Sequence, residues 1–328
     1  MVKLFFIFFS LFINNIAAKS NDTPKYNHQK SNIEWNKWIE NLKEDLQKSD
    51  FKVSTLKLLD DLKFNKKVIE LDRKQPEFKL TFNEYFKNVI SDKRVQTGKK
   101  KLNENKNLLN HIEKVYEVPK SLIVALWGIE TSYGRHIGKF DVLNSLASLS
   151  YDGRRSAFFL KELKYSLKII DNGDINRKSL KGSWAGAIGQ TQFMPSTYIN
   201  YAKDFNKDGK KDLLNDSSDA LASGANYLSK MGWNINSGWG EQVKIKKITK
   251  EIEMLSINKT YKSSKFWNNL GIKLNNNYNN SSLRLIIPDN SSQKYLLVTK
   301  NYNVILNWNR SNYFALSVNI LSDRIREK

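Results

Sequence analysis

The sequence predicts a mainly α-helical protein with a small β-hairpin insertion near its C-terminus. Apolar residues recur through most of the chain at the spacing of one helix face, as in Trp35, Trp38, Ile39 and Leu42. Two short apolar runs, Leu283–Ile287 and Lys294–Val298, flank the turn-rich stretch Pro288–Gln293, which is how a hairpin reads in sequence. The 328 residues are 40% hydrophobic, enough for a sizeable core and for one to three domains.

The first element reads as a secretory signal, against the alternative of a membrane anchor. Met1–Lys3 is positive, Leu4–Ile13 is apolar, and Asn14–Ala18 ends in small residues that suit cleavage after Ala18. The apolar block is shorter than the ~20 residues of a spanning helix. No second long apolar run follows, so the mature chain is expected to be soluble. Residues 19–32 read as a polar, disordered linker. From Ile33 to Leu62 two or three helices are expected, the later ones marked by Leu56, Leu58, Leu59 and Leu62. Phe82, Tyr85, Phe86, Val89 and Ile90 mark the next helix, and Leu102–Tyr116 another. Val118-Pro119 opens a helix that ends near Glu130; proline suits the first turn, where its missing N–H is not needed. Gly134 is a stop. Further helices are expected at Ser156–Ile170, Pro195–Phe205, Ser218–Met231 and Tyr313–Ile325, with a low-complexity loop, Asn275–Asn280, ahead of the hairpin.

Two stretches carry the chemistry. In the first, Glu130 ends the apolar run Leu122–Ile129. A carboxyl group against such a wall is poorly solvated when charged, so its pKa should rise toward the range of a general acid near neutral pH. The competing reading is a helix-end glutamate in a structural hydrogen bond. The second, Ser183–Pro195, is glycine-spaced and carries Gln190 and Gln192. Small residues there let a ligand approach the backbone while amides fix its orientation. The other nearby acids, Asp141, Asp152 and Glu162, sit in polar stretches. One acid without an evident second carboxylate, followed by an amide-bearing turn, suggests glycan cleavage.

The loop Asp204–Asp212 has the oxygen spacing of a calcium site, with Asp204, Asn206 and Asp208 at positions one, three and five and Gly209 at six. Asn215 stands where the twelfth-position glutamate would be, so Asp216 or Asp219 would have to serve. Asp204, Asn206, Asp208, Lys210 and Asp219 are the candidate ligands of a structural calcium ion, against the alternative of a polar turn capping the next helix. The three histidines, His28, His111 and His136, show no zinc-ligand spacing, and the absence of cysteine excludes disulfides, thiolate metal sites and a cysteine nucleophile. The formal charge of +21 attracts polyanions, but runs such as Lys99–Lys101 and Lys244–Lys250 read as solvated faces. No phosphate loop or zinc-finger spacing points to nucleic acid.

The two motifs, with Asp72–Phe78, Asp92–Gly98, Tyr151–Phe159, Ala225–Tyr227, Trp308–Ser311 and Asp323-Arg324, resemble the lytic murein transglycosylases of the membrane-bound lytic transglycosylase B type. The resemblance implies a lysozyme-like helical core over 118–240, an α-rich region over 33–117, a small β-containing subdomain over 241–306, and a helix over 307–328 that returns to the core. It also implies cleavage of the MurNAc-GlcNAc β-1,4 bond of peptidoglycan without water, Glu130 acting first as acid and then as base to leave a 1,6-anhydromuramic end. Ser183, Gln192, Tyr85, Tyr227 and Asn309 match cleft positions of that family. Phe193 and Met194 are candidate sugar-stacking walls. Arg154 and Arg155 are candidates for meeting peptide carboxylates, or a plain surface pair. Trp308 stands where relatives usually have tyrosine, so a stacking surface is kept and a hydroxyl contact is lost. Peptidoglycan strands are the expected partner, with no nucleic acid, peripheral contact with envelope proteins, a monomeric state and no cofactor needed for the chemistry. With no cysteine for a lipid anchor, a free periplasmic form is expected. Two rivals remain: a hydrolytic lysozyme or chitinase on the same core, separable by product mass, and a non-catalytic wall-binding protein, separable by turnover.

Overall fold

A computed structural model describes residues 28–74, 80–276, 278, 281–289 and 294–326. The expected signal segment, most of the linker, the stretch Gln75–Phe78 and the hairpin turn Asn290–Gln293 lie outside the described residues. The fold is mainly helical, with small antiparallel sheets. In chain order the helices are α1 (His28–Gln47), α2 (Val53–Leu56), α3 (Lys66–Arg73), α4 (Phe82–Val89), α5 (Asp92–Glu104), α6 (Lys106–Tyr116) and α7 (Lys120–Thr131). They continue as α8 (Val142–Asp152), α9 (Ser156–Asp171), α10 (Pro195–Tyr201), α11 (Ser217–Lys230), α12 (Lys250–Ile257), α13 (Ser264–Asn269), α14 (Asn301–Trp308) and α15 (Asn312–Arg326).

Several expectations shift. Helix α1 begins at His28, so its first turn occupies the end of the stretch expected to be linker. The helix expected over Leu102–Tyr116 is two helices, broken at Asn105, whose side-chain amide donates back to the Lys101 carbonyl and closes the first of them. Helix α10 stops at Tyr201 rather than Phe205. Helix α8 had no sequence signal because eight of its residues are buried, which erases a one-sided apolar period.

The described residues divide into two compact units, each assembled from separated segments: one from the described parts of 80–133 and 224–326, the other from 28–74 and 134–223. The contiguous boundaries expected at 117/118, 240/241 and 306/307 all fall inside the first unit.

The first unit is organised by α7. Residues Ser121–Ile129 and Thr131 are buried, as a helix apolar on every side requires. It packs against α5, α6 and α15. Small residues allow this closeness. A Cβ on Gly98 of α5 would lie 2.5 Å from Ile325 of α15, and one on Gly128 would lie 2.7 Å from the Tyr133 ring. Directly after α7, Ser132 and Tyr133 adopt φ of 52° and 63°, two successive non-glycine residues in the left-handed region. This turn folds the Tyr133 ring back over Gly128, where its hydroxyl donates to the Arg94 carbonyl at 2.7 Å. The same unit holds a four-stranded antiparallel sheet. With β3 (Gly240–Val243), β4 (Lys262–Ser263), β5 (Ser282–Ile286) and β6 (Tyr295–Val298), the order is β3-β6-β5-β4. The expected hairpin is β5–β6, with Leu285 opposite Leu297; β3 and β4 were not foreseen because they are short. Trp267, Leu283, Leu285, Leu297 and Ile272 form the sheet's core.

In the second unit α8 packs on α9 and α3, and α9 on α10. Its two short strands, β1 (Phe140–Asp141) and β2 (Lys181–Gly182), pair antiparallel; as they precede β3 in the chain they complete the strand numbering.

Substituting Gly128→Ala tests how α7 is packed. Helix propensity alone favours alanine by about 0.5–1 kcal/mol. Overpacking against a tyrosine ring tethered at its hydroxyl costs about 1–3 kcal/mol. A net loss is therefore expected, read as a lower urea midpoint at unchanged m-value; an unchanged or higher midpoint would show that the ring yields.

Candidate active site

Glu130 lies in the last turn of α7, the end at which the apolar run meets the left-handed turn. Burial pushes its pKa from the ordinary carboxylate value up to about 8. One donor opposes this: the Trp308 indole N–H, at the end of α14, donates to Oε1 at 2.8 Å and favours the charged form. A carboxyl group with one donor and little solvation holds its proton near neutral pH, which is what a general acid requires.

Aromatic rings surround this group within the first unit. Tyr227 meets Trp308 edge-on with ring centres 5.2 Å apart, and its hydroxyl donates to the Asn307 carbonyl at 2.8 Å. Tyr85 packs against Tyr313 at 5.6 Å. Burial raises the Tyr85 hydroxyl pKa, and the charge of Glu130 raises it further, which places the two groups within electrostatic reach. Asn309 follows Trp308, and its Oδ1 accepts from the Ser311 amide at 3.0 Å. The structure thus brings Glu130, Tyr85, Tyr227 and Trp308 together, with Asn309 adjoining. Trp308 brings no hydroxyl to this place, and its indole N–H supplies a donor that the sequence reading did not foresee.

The remaining expected site residues belong to the second unit. Ser183 accepts from the Ala187 amide at 3.0 Å, and its own amide donates to the Ala187 carbonyl at 2.9 Å. Gln192, at φ 51°, donates through Nε2 to the carbonyls of Gly189 at 2.8 Å and Ile137 at 3.1 Å. Both side chains therefore hold the glycine-spaced turn. Phe193 and Met194 were expected as sugar-stacking walls, but they are 3% and 7% exposed and leave little surface to stack on. Arg154 and Arg155 were expected to face peptide carboxylates or solvent. Both clamp the buried carboxylate of Asp72, Arg154 through Nε at 2.7 Å and Nη2 at 3.0 Å, Arg155 through Nη2, while the Arg154 side chain stays exposed. Arg155 Nε stays buried with no partner among the described residues.

The loop after α10 offers hard oxygens, the donor type calcium prefers. Asp204 and Asn206 both accept from the Asp208 amide, at 3.1 and 2.9 Å, so their oxygens lie close together. Asp208 accepts from the Lys210 amide at 2.9 Å. Asp219, fully buried, accepts from the amides of Phe205, Asn206 and Asp212, and burial still raises its pKa. Among the described residues no three acidic or histidine side chains converge as a metal site. A calcium set would have to include Asn206 and the Lys210 carbonyl, while the Asp219 carboxylate also gathers the loop's amides.

A model of the transglycosylase SLT domain matches residues 34–323. Over 150 residues the chain is 42% identical to membrane-bound lytic murein transglycosylase B of Escherichia coli (strain K12), a match covering 45% of this chain and 41% of that protein. SltB3 from Pseudomonas aeruginosa, solved in complex with NAG-NAM-pentapeptide, superposes with a TM-score of 0.85 at 32% identity, over 90% of this chain and 80% of that one. Escherichia coli Slt35 in complex with calcium superposes at 0.73 with 28% identity, over 88% of this chain and 92% of that one.

The Trp308 bond has a measurable consequence. Trp308→Phe removes a donor that favours the carboxylate, so the Glu130 pKa should climb from about 8 by roughly one further unit, the worth of one charged hydrogen bond. Carboxyl ¹³C NMR titration reads this directly, and an unmoved pKa would show that the indole does not bias ionisation.

Proposed function

The chain belongs to the transglycosylase SLT domain family, and from that premise we propose that it is a peptidoglycan lytic transglycosylase with Glu130 as its single acid and base. The observation that carries the reading is a carboxyl group held protonated near neutral pH in the last turn of a buried helix, ringed by Tyr85, Tyr227 and Trp308. The carboxylic acid gives its proton to the glycosidic oxygen as the bond to the muramic C1 breaks. The resulting carboxylate takes the proton of the muramic C6 hydroxyl, whose oxygen closes on C1. Glu130 ends protonated, a 1,6-anhydro ring forms, and no water is consumed. Attack from within the same sugar needs no second carboxylate to activate a nucleophile, unlike an ordinary glycosidase.

The pH dependence follows from the protonated starting state. Activity should fall as pH rises through about 8, because the acid is lost. The linkage to stability has the same direction. The folded state keeps a proton that the unfolded chain releases above the ordinary glutamate value, so stability declines from there up to about pH 8. Glu130→Gln should therefore abolish turnover by about a thousandfold while being more stable than wild type at pH 8. Digested cell-wall sacculi should yield fragments lighter by one water than hydrolysis products. Reducing ends carrying label from heavy-oxygen water would replace this reading with a hydrolase.

A structural calcium ion in the Asp204–Asp212 loop is supported by the donor set and by the relative solved with calcium. The chemistry does not call on it. Calcium is expected to raise the melting temperature by a few degrees in wild type and not in Asp204→Ala, since a ligand of the native state stabilises by mass action. Identical melting curves in calcium and chelator would leave the loop a turn. Among the described residues no helix is long and apolar enough to cross a membrane, and we place the mature protein in the periplasm after removal of residues 1–18.

A further inference from the structure

A cavity of about 520 Å³ lies in the first unit, with walls from the end of α12, from β5, from α14 and from the start of α15. Its polar wall carries Lys259, Arg284 and Arg310 with Asn303, Asn307 and Asn312, and no acidic residue among the described residues. Arg284 is the unusual member. It is a cation inside the apolar strand β5 and is 6% exposed. Its guanidinium sits over the rings of Tyr261 and Tyr302, at 5.6 and 5.5 Å. Nη2 donates to Asn303 Oδ1 at 3.2 Å, and Nε is buried with no partner among the described residues. The cradle is itself fixed: Asn303 donates to the Tyr261 hydroxyl at 2.9 Å, and the Tyr302 hydroxyl donates to Asn312 at 2.8 Å.

A guanidinium cannot shed its charge, and burying it without an anion is costly. Its forked donors match a carboxylate. Helix α14 links this cavity to the reacting group. Asn303 and Asn307 line the cavity, the Asn307 carbonyl accepts from Tyr227, and the next residue, Trp308, donates to Glu130. Resting on the transglycosylase reading, we propose that this cavity is a carboxylate pocket that takes an acidic group of the peptide branching from the glycan, with Arg284 as the buried anchor and Lys259 at its rim. Recognition of the peptide would then sit on the same short helix that holds the donor to the acid.

The test is calorimetric titration of the whole protein with a soluble stem peptide that carries free carboxylates and no sugar. Wild type should bind it, and the same peptide with amidated carboxylates should not. Arg284→Gln and Lys259→Glu should each weaken binding about tenfold or more, in line with one charged hydrogen bond or ion contact. Lys259 is exposed, so that variant reads the pocket even if Arg284→Gln does not fold. In turnover, Lys259→Glu should raise KM for peptide-bearing strands and leave KM for peptide-stripped strands unchanged. The proposal is overturned if wild type shows no millimolar binding, if the amidated peptide or Lys259→Glu binds as wild type does, or if inorganic phosphate binds more tightly than the peptide. Failure of wild type to cleave either strand would count against the transglycosylase reading instead, because the titration does not depend on turnover.

Discussion

The carboxyl of Glu130 keeps its proton only because α7 is enclosed. A helix that is apolar on all sides gives nothing to water, so α5, α6 and α15 must come close enough to cover it. That closeness is bought with glycine at 98 and 128, where any side chain would strike Ile325 or Tyr133. It also explains the turn. Ser132 and Tyr133 accept left-handed backbone conformations that cost each of them something, and the return is a Tyr133 ring that seals Gly128 and anchors to Arg94.

The number of donors separates the buried acids from one another. Asp72 has two guanidinium groups, Asp171 has the Lys52 amide and the Thr55 hydroxyl, and Asp219 has three backbone amides. Each of these holds structure. Among the described residues Glu130 has a single donor, the indole of Trp308, and sits at the end of the most apolar helix. Poor compensation is a defect in a structural carboxylate and a requirement in an acid that must give its proton away. Arg284 is the cationic counterpart: a buried charge with a neutral cradle and no internal anion among the described residues.

What was legible in the sequence was local. The 3.6-residue period placed α4, α9, α11 and α15 within a residue or two, and the paired apolar runs placed β5 and β6. Helix α8 and the short strands β3 and β4 were missed because buried helices lose their one-sided pattern and strands of four and two residues have too little of one. Arg284 left a trace that went unused, a lone charge within Leu283–Ile287. Arg154 and Arg155 misled for the opposite reason, since no spacing says that two adjacent arginines will turn toward an aspartate 82 and 83 residues earlier.

The sequence by itself determined that one glutamate ends an apolar helix, and so that its pKa would rise, because desolvation by a helix's own neighbours follows from their composition. It also determined the oxygen spacing of the 204–212 loop and the helical character of the whole. Only the tertiary structure decided which donor answers Glu130, that Phe193 and Met194 are core, and that Asp219 gathers the amides of Phe205 and Asp212. Those outcomes depend on which side chains meet across long stretches of chain, and pairing at a distance is set by packing, which no local pattern encodes.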